Sequence, residues 1–195
     1  MKVYRIDRAV LGKIQVAIFT FGRFCDIIKV VRKLIDKLEF GELQKRRKCM
    51  QIRVMTLNDI EVVIPLYVDY YNNYEDGCWT EVTARRRIQQ VLKIEDSYSL
   101  IMKDENGEVC GFVMGYYKQY DDIVGYTLEE ILISHKHQNK GLGSILLAEL
   151  ESKVKAEGAS CVELQAVKDE MHERYYSKAG YCDAKNFVMK VKWFA

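Results

Sequence analysis

The chain has 195 residues, 49% hydrophobic, 30% charged and 11% aromatic, with one proline and twelve glycines. That balance supports a packed core of about one domain's size and excludes collagen, coiled coil and wholesale disorder. Thirty basic against twenty-eight acidic residues leave a formal charge of +2, too small to argue for nucleic acid as a partner.

The charge is unevenly placed. Residues 1–49 hold thirteen Lys or Arg against five Asp or Glu, a balance of +8, so 50–195 carry −6. The six cysteines form no CxxC pair and no zinc-type Cys/His spacing, which reads as reduced thiols in a cytoplasmic protein without a metal site. The apolar run at 9–22 is interrupted by Lys13 and followed by Arg23, Asp26 and Lys29. No small-residue cleavage site follows it, and a membrane span needs about 20 apolar residues, so it reads as neither leader nor span.

In chain order, Phe21, Phe24, Cys25, Ile28, Val31, Ile35 and Leu38 fall three or four apart among Arg and Lys residues, the pattern of an amphipathic helix. Residues 21–40 are therefore expected to dock onto the main domain, touch a second copy, lie on an anionic membrane or, as the product of an upstream start, add little. The basic cluster Lys45, Arg46, Arg47 and Lys48 ends before Met50, which reads as a natural beginning. This gives a basic extension over 1–49 and a folded domain over 50–195. A short strand is expected at 51–54, then a helix opened by Thr56, Asn58 and Asp59 and kinked at Pro65, then a second helix capped by Thr80 and running to 93. Strands follow at 100–102 and 108–117, joined by the Asn106-Gly107 turn, and at 126–134. A helix over 141–157 ends at Gly158, a strand covers 161–167, Asp169 opens a short helix ended by Gly180, and 187–193 closes the domain as a strand. The fold class is α/β (α+β): a mixed central sheet flanked by helices, with an amphipathic N-terminal extension.

The stretch 129–147 carries the most information: a strand runs through a glycine-bearing loop into a helix. Gly141 and Gly143 lack Cβ atoms, so the backbone N–H groups at the helix start can approach an anion such as phosphate. Neither GxGxxG after an early strand nor GxxxxGK[ST] is present. Residues Gln138, Asn139, Lys140, Gly141, Leu142 and Gly143 fit Q/R-x-x-G-x-G/A, which resembles the acetyl-CoA motif of the GNAT N-acetyltransferase superfamily. RYYSKAGY at 174–181 is similar to that family's Y-x-K-x-G-F, and the order of elements from 50 to 193 agrees with its fold.

That resemblance implies acetyl-CoA as the cofactor, its pyrophosphate held by the backbone amides from Gln138 to Ser144, with Lys140 adding charge. The strand edge at Ile131, Leu132 and Ile133 would pair with the pantetheine arm, and the Ile133 N–H would face the thioester carbonyl. Acetyl transfer to an alkyl ammonium, whose pKa is near 10, needs a group to take its proton. Glu129 and Glu130 match the acidic pair of the family's polyamine acetyltransferases. Glu129 is expected as the general base and Glu130 as an ammonium contact, on opposite faces by strand alternation. Tyr176, four residues before Gly180, is expected to protonate the leaving thiolate, and Tyr175 to pack in the core.

Asp169 stands where the family often has an asparagine on the pantetheine, which favours helix capping. His172 replaces a usual small residue near the cofactor channel and is expected to pack or line the rim; His135 and His137 find no third ligand. Tyr74, Glu75, Asp76 and Trp79, in the connection between the first two helices, are expected to frame an acceptor pocket suited to a small cationic amine of aminoglycoside or polyamine type. Two other functions stay open: an acyl-CoA-sensing interaction module tethered by the basic helix, and a protein or peptide N-acetyltransferase. Monomer and homodimer also stay open.

Overall fold

The computed structural model describes residues 50–194 together with Gly41, and the helix expected over 21–38 lies outside them. Five strands and four helices follow in the order β1 (Gln51–Val54), α1 (Ile60–Tyr74), α2 (Glu81–Leu92), β2 (Ser97–Lys103), β3 (Val109–Gln119), β4 (Val124–Ile133), α3 (Leu142–Ala156), β5 (Cys161–Leu164) and α4 (Glu170–Lys178). They form one sheet in the spatial order β1-β2-β3-β4-β5. The first three pairings are antiparallel, and β4 pairs with β5 in parallel, with α3 as the crossover.

Local chemistry sets these elements. Thr80 caps α2 by accepting the Thr83 N–H at 3.1 Å. Asp104 holds the β2–β3 turn by accepting the N–H groups of Asn106 and Glu108 at 2.9 and 3.0 Å. Ahead of α1, Asp59 accepts the Thr56 N–H at 2.9 Å and takes both arms of the Arg53 guanidinium at 2.5 and 2.8 Å. Pro65 lies inside α1, which nonetheless runs on to Tyr74; the ring removes only the bond to the Glu61 carbonyl.

A hydrophobic layer fills each face of the sheet. Leu146, Leu147, Leu150 and Val154 of α3 meet Met102, Val113 and Tyr126 on one side. Val63 and Tyr67 of α1 and Ala84 and Ile88 of α2 meet Ile101, Phe112 and Met114 on the other. Each large side chain withdrawn from water here contributes about 1.5–3 kcal/mol.

One irregularity interrupts the sheet. Leu128 pairs with Gly115, whereas Glu130 pairs with Met114, so Glu129 is an extra residue in β4, a β-bulge. The parallel ladder with β5 ends at the same point, its last pair being Leu128 with Leu164, while β4 continues to Ile133. Beyond Leu128 the two strands part. This is why β5 stops at Leu164 and does not reach 167 as the pattern suggested. Gly115 sits across from the bulge, where a Cβ would stand 2.1 Å from the Thr127 carbonyl oxygen, so no larger residue fits without moving backbone.

The strand expected at 187–193 does not form among the described residues: the segment is exposed and pairs with nothing. Its alternating apolar pattern is a property of the segment alone, whereas a strand also needs a neighbour to pair with, and the segment pairs with none.

Two outcomes are expected. Gly115→Ala should lower stability by about 1–3 kcal/mol in urea unfolding, because overpacking at this site meets backbone. The Asp59 carboxyl is lowered to about 2 from its usual 3.8, chiefly by the Arg53 hydrogen bond and against the effect of burial. A depressed carboxylate contributes stability that is complete above 3.8 and is lost as pH falls toward 2. Arg53→Met should therefore cost about 1 kcal/mol at pH 7, half-exposure of the arginine weakening the pair, and the gap to the parent chain should narrow toward pH 3 in the same assay.

Candidate active site

The bulge decides where the acidic pair points. Strand alternation alone would send Glu129 and Glu130 to opposite faces; with the extra residue both carboxylates meet one cation, Arg87 of α2, at 2.7 and 3.3 Å. This corrects the opposite-face expectation. Glu130 is 13% exposed at its side chain and also accepts the hydroxyls of Tyr67 at 3.2 Å and Tyr71 at 2.5 Å. Tyr67 and Tyr71 are four apart on α1 and so share a helix face. Burial, and then the Glu130 charge, push both phenols well above their ordinary value, which keeps them hydrogen-bond donors. Glu129 is 25% exposed, and only its Oε2 takes a hydrogen bond among the described residues. Glu130 is thus fully engaged, while Glu129 keeps one oxygen for another donor.

Tyr176 approaches from α4. Burial and, next, the Glu130 charge raise its phenol, so it stays protonated and able to donate near the acidic pair. Asp169 caps α4 by accepting the His172 N–H at 2.8 Å and also meets His172 Nδ1 at 2.7 Å. The His172 ring lies 6.4 Å from Tyr176, four residues on. Cys110 is buried, and burial, with Asp104's charge behind it, pushes its thiol up to about 11, the opposite of an activated nucleophile.

The loop between β4 and α3 completes the site. Asn139 and Gly141 both have positive φ, 57° and 79°, on either side of Lys140 and directly ahead of α3, the kind of turn whose backbone N–H groups can serve an anion. The Ser134 N–H donates to Cys110 of β3 at 2.9 Å, so alternation turns the Ile133 N–H toward the side where β5 has departed. The Gln138 side chain donates to the Ile133 carbonyl at 3.1 Å and so clamps the loop to that open edge. Lys140 Nζ donates to the Lys136 carbonyl at 2.9 Å. On the far side of the loop His137 bridges Ser134 Oγ at 2.7 Å and Asp104 at 3.4 Å, tying it to the β2–β3 turn.

The other acceptor-pocket residues are spread out. Tyr74 stacks on His135 at 4.1 Å, and Glu75 accepts the Tyr70 hydroxyl at 2.9 Å; burial first, and then this bond, push that phenol up to about 12. Asp76 is exposed, with φ of 52°. Trp79 packs edge-on against Tyr67 at 5.0 Å, its backbone paired with the Asn72 side chain. Tyr74 and Glu75 therefore sit toward the 135–138 loop, and the carboxylates are walled instead by Tyr67, Tyr71 and Arg87. Sequence reasoning missed these three. The available signals were the helix-spaced tyrosines of α1 and the run Arg85-Arg86-Arg87 in α2, whose third arginine faces inward.

Residues 61–181 match the model of the acetyltransferase (GNAT) family. The chain belongs to the GNAT acetyltransferase family. It is accordingly an acetyl-CoA-dependent N-acetyltransferase. The phosphinothricin N-acetyltransferase of Streptomyces viridochromogenes is 25% identical over 142 residues, spanning 71% of this chain and 78% of that protein. The crystal structure of a ribosomal-protein-alanine N-acetyltransferase from Brucella melitensis superposes with a TM-score of 0.61 at 18% identity, over 74% of this chain and 99% of that one. An aminoglycoside acetyltransferase from an uncultured soil sample does so with a TM-score of 0.53 at 18% identity, over 73% and 99%. The two structures share the fold with this chain.

The residues present suit acetyl-CoA. The β4 edge is open beyond Leu128, the loop before α3 turns left-handed at Asn139 and Gly141 ahead of a helix N-terminus, and the buried Tyr175 hydroxyl beside Gly143 has no partner among the described residues. Arg87→Met should lower kcat/KM about 10–100-fold while the far-ultraviolet circular dichroism stays unchanged, because two part-buried carboxylates lose their shared counter-ion.

Proposed function

We propose that the domain over 50–195 acetylates a primary amine of a small cationic acceptor, aminoglycoside- or polyamine-like, with Glu129 as general base and Tyr176 as general acid. The observation that carries this reading is the convergence at the bulge: a carboxylate with an unengaged oxygen and a protonated phenol flank the open end of β4. Arg87 offsets one of the two glutamate charges, so the pair keeps a net negative charge that attracts an ammonium. The partly exposed rings of Tyr71 and Trp79 beside it suit a cation. The −6 balance of residues 50–195 favours the same acceptors. The aminoglycoside acetyltransferase among the structural neighbours is compatible with that class.

Bound acetyl-CoA supplies the activated acetyl thioester. Residues 138–144 would hold its pyrophosphate, with Asp169 restricted to capping α4, and the open edge from Ile131 to Ile133 its pantetheine arm. Glu129 takes the ammonium proton, Glu130, its oxygens already bonded, contacts the ammonium through its charge, and the Ile133 N–H polarises the acyl carbonyl. Tyr176 returns a proton to the departing sulfur. The high pKa of Cys110 favours direct transfer over an acyl-cysteine route. Free thiols at Cys78, Cys161 and Cys182 accord with a cytoplasmic setting. No helix among the described residues is long and apolar enough to cross a membrane.

The test is a thiol-release assay with acetyl-CoA against aminoglycosides, polyamines and peptide N-termini. Turnover is expected with the first two classes. Glu129→Gln should lower kcat by about 10²–10⁴-fold and leave coenzyme A affinity, read by calorimetry, within about twofold. Tyr176→Phe should lower kcat about 10–100-fold. Turnover confined to peptide N-termini would replace the small-amine reading.

A further inference from the structure

Tyr175 departs from the other tyrosines packed on the α3 side of the sheet. Its ring lies with Tyr176 and Tyr181 against that hydrophobic layer, in keeping with a core position. Its hydroxyl oxygen, however, is buried with no hydrogen-bond partner among the described residues. Tyr181 donates to Glu151 of α3 at 2.8 Å, and Tyr126 to the Tyr98 carbonyl at 2.6 Å. Buried polar groups are almost always paired, because a hydroxyl withdrawn from water without a partner forfeits its hydration.

The hydroxyl lies against the first turn of α3. A Cβ at Gly143 would stand 3.2 Å from Tyr175 Oη and 3.5 and 3.6 Å from Cε2 and Cζ, so the tip of the phenol fills the space a side chain there would take. No side chain caps α3 at Gly141, and its first turn holds no acidic residue. The first helical bond runs from the Ile145 N–H to the Gly141 carbonyl at 3.1 Å. The N–H groups of Leu142, Gly143 and Ser144 precede it, where a helix has donors without intrahelical partners. An O–H donor therefore stands beside N–H donors at the positive end of a helix, an arrangement that suits an anion. Burial first, and then Tyr176 and Glu151, raise the Tyr175 phenol, which keeps it a donor.

We propose that the Tyr175 hydroxyl donates a hydrogen bond to a diphosphate oxygen of bound coenzyme A, which makes Tyr175 a cofactor-binding residue as well as a packing one. The inference rests on residues 138–144 holding that diphosphate. A donor with no protein partner can be matched by the ligand without breaking a bond already made. The two adjacent tyrosines then have separate duties. Their rings lie 5.0 Å apart at 73°, Tyr176 turned to the reacting end of the cofactor and Tyr175 to its anionic middle.

The test is Tyr175→Phe, which keeps the ring and removes the oxygen. Calorimetry with coenzyme A is expected to show the dissociation constant raised about 10–100-fold, the worth of a hydrogen bond to a charged group. The melting temperature of the free protein should stay level or rise, since the oxygen removed has no protein partner. A crystal structure of the coenzyme A complex should put Oη within about 3 Å of a diphosphate oxygen. An unchanged dissociation constant, a lower melting temperature of the free protein, or an Oη bonded to the pantetheine arm would each overturn the inference. Gly141→Val, which strains the left-handed turn at φ 79°, separates it from the loop reading beneath it. Weaker coenzyme A binding in Gly141→Val but not in Tyr175→Phe would overturn the tyrosine's role alone; unchanged binding in both would overturn the loop's role with it.

Discussion

The extra residue at Glu129 is the constraint on which the site depends. It ends the parallel ladder between β4 and β5, exposes backbone donors at the far end of β4, and turns two neighbouring glutamates toward one arginine. Gly115 makes this geometry available by letting the backbone of β3 close on Thr127. An unbroken strand would keep the same hydrophobic layers and would have no slot for a ligand. The fold thus gives up ladder hydrogen bonds at the proposed site and keeps them where it only packs.

Charge in the cluster is arranged by hydrogen bonding more than by net sign. Arg87 donates to both glutamates and is itself part-buried; Tyr67 shares Oε1 of Glu130 with it, and Tyr71 takes Oε2. Burying two carboxylates side by side is tolerable only with such partners. The division of labour follows: the fully bonded carboxylate has a fixed position, and the partly bonded one can receive a proton. The phenols nearby are all pushed toward their neutral forms, so each enters the site as a donor.

Much of this was legible in the sequence because it is local. The loop from Gln138 to Ser144 is written in consecutive residues, Thr80 and Asp169 are caps beside the helices they open, and Asn106-Gly107 is a turn wherever it occurs. The fold class followed from the order of such signals. The bulge was not legible, since it is a relation between Glu129 and a strand whose partner, Gly115, lies 14 positions earlier. Arg87 was hidden for the same reason, being one of three adjacent arginines of which the packing of α2 selects the one that faces the carboxylates. The segment 187–194 failed in the converse way: its pattern is that of a strand, and among the described residues it pairs with none.

Helix α1 touches both ends of the site. Tyr67 and Tyr71 reach Glu130, while Tyr74 stacks on His135 and Tyr70 bonds to Glu75 beside the loop that precedes α3. On the proposed reading, donor and acceptor lean on successive turns of one face of a single helix. Any shift of that helix produced by the first to arrive alters the dissociation constant of the second, and linkage makes the factor identical in either order of addition.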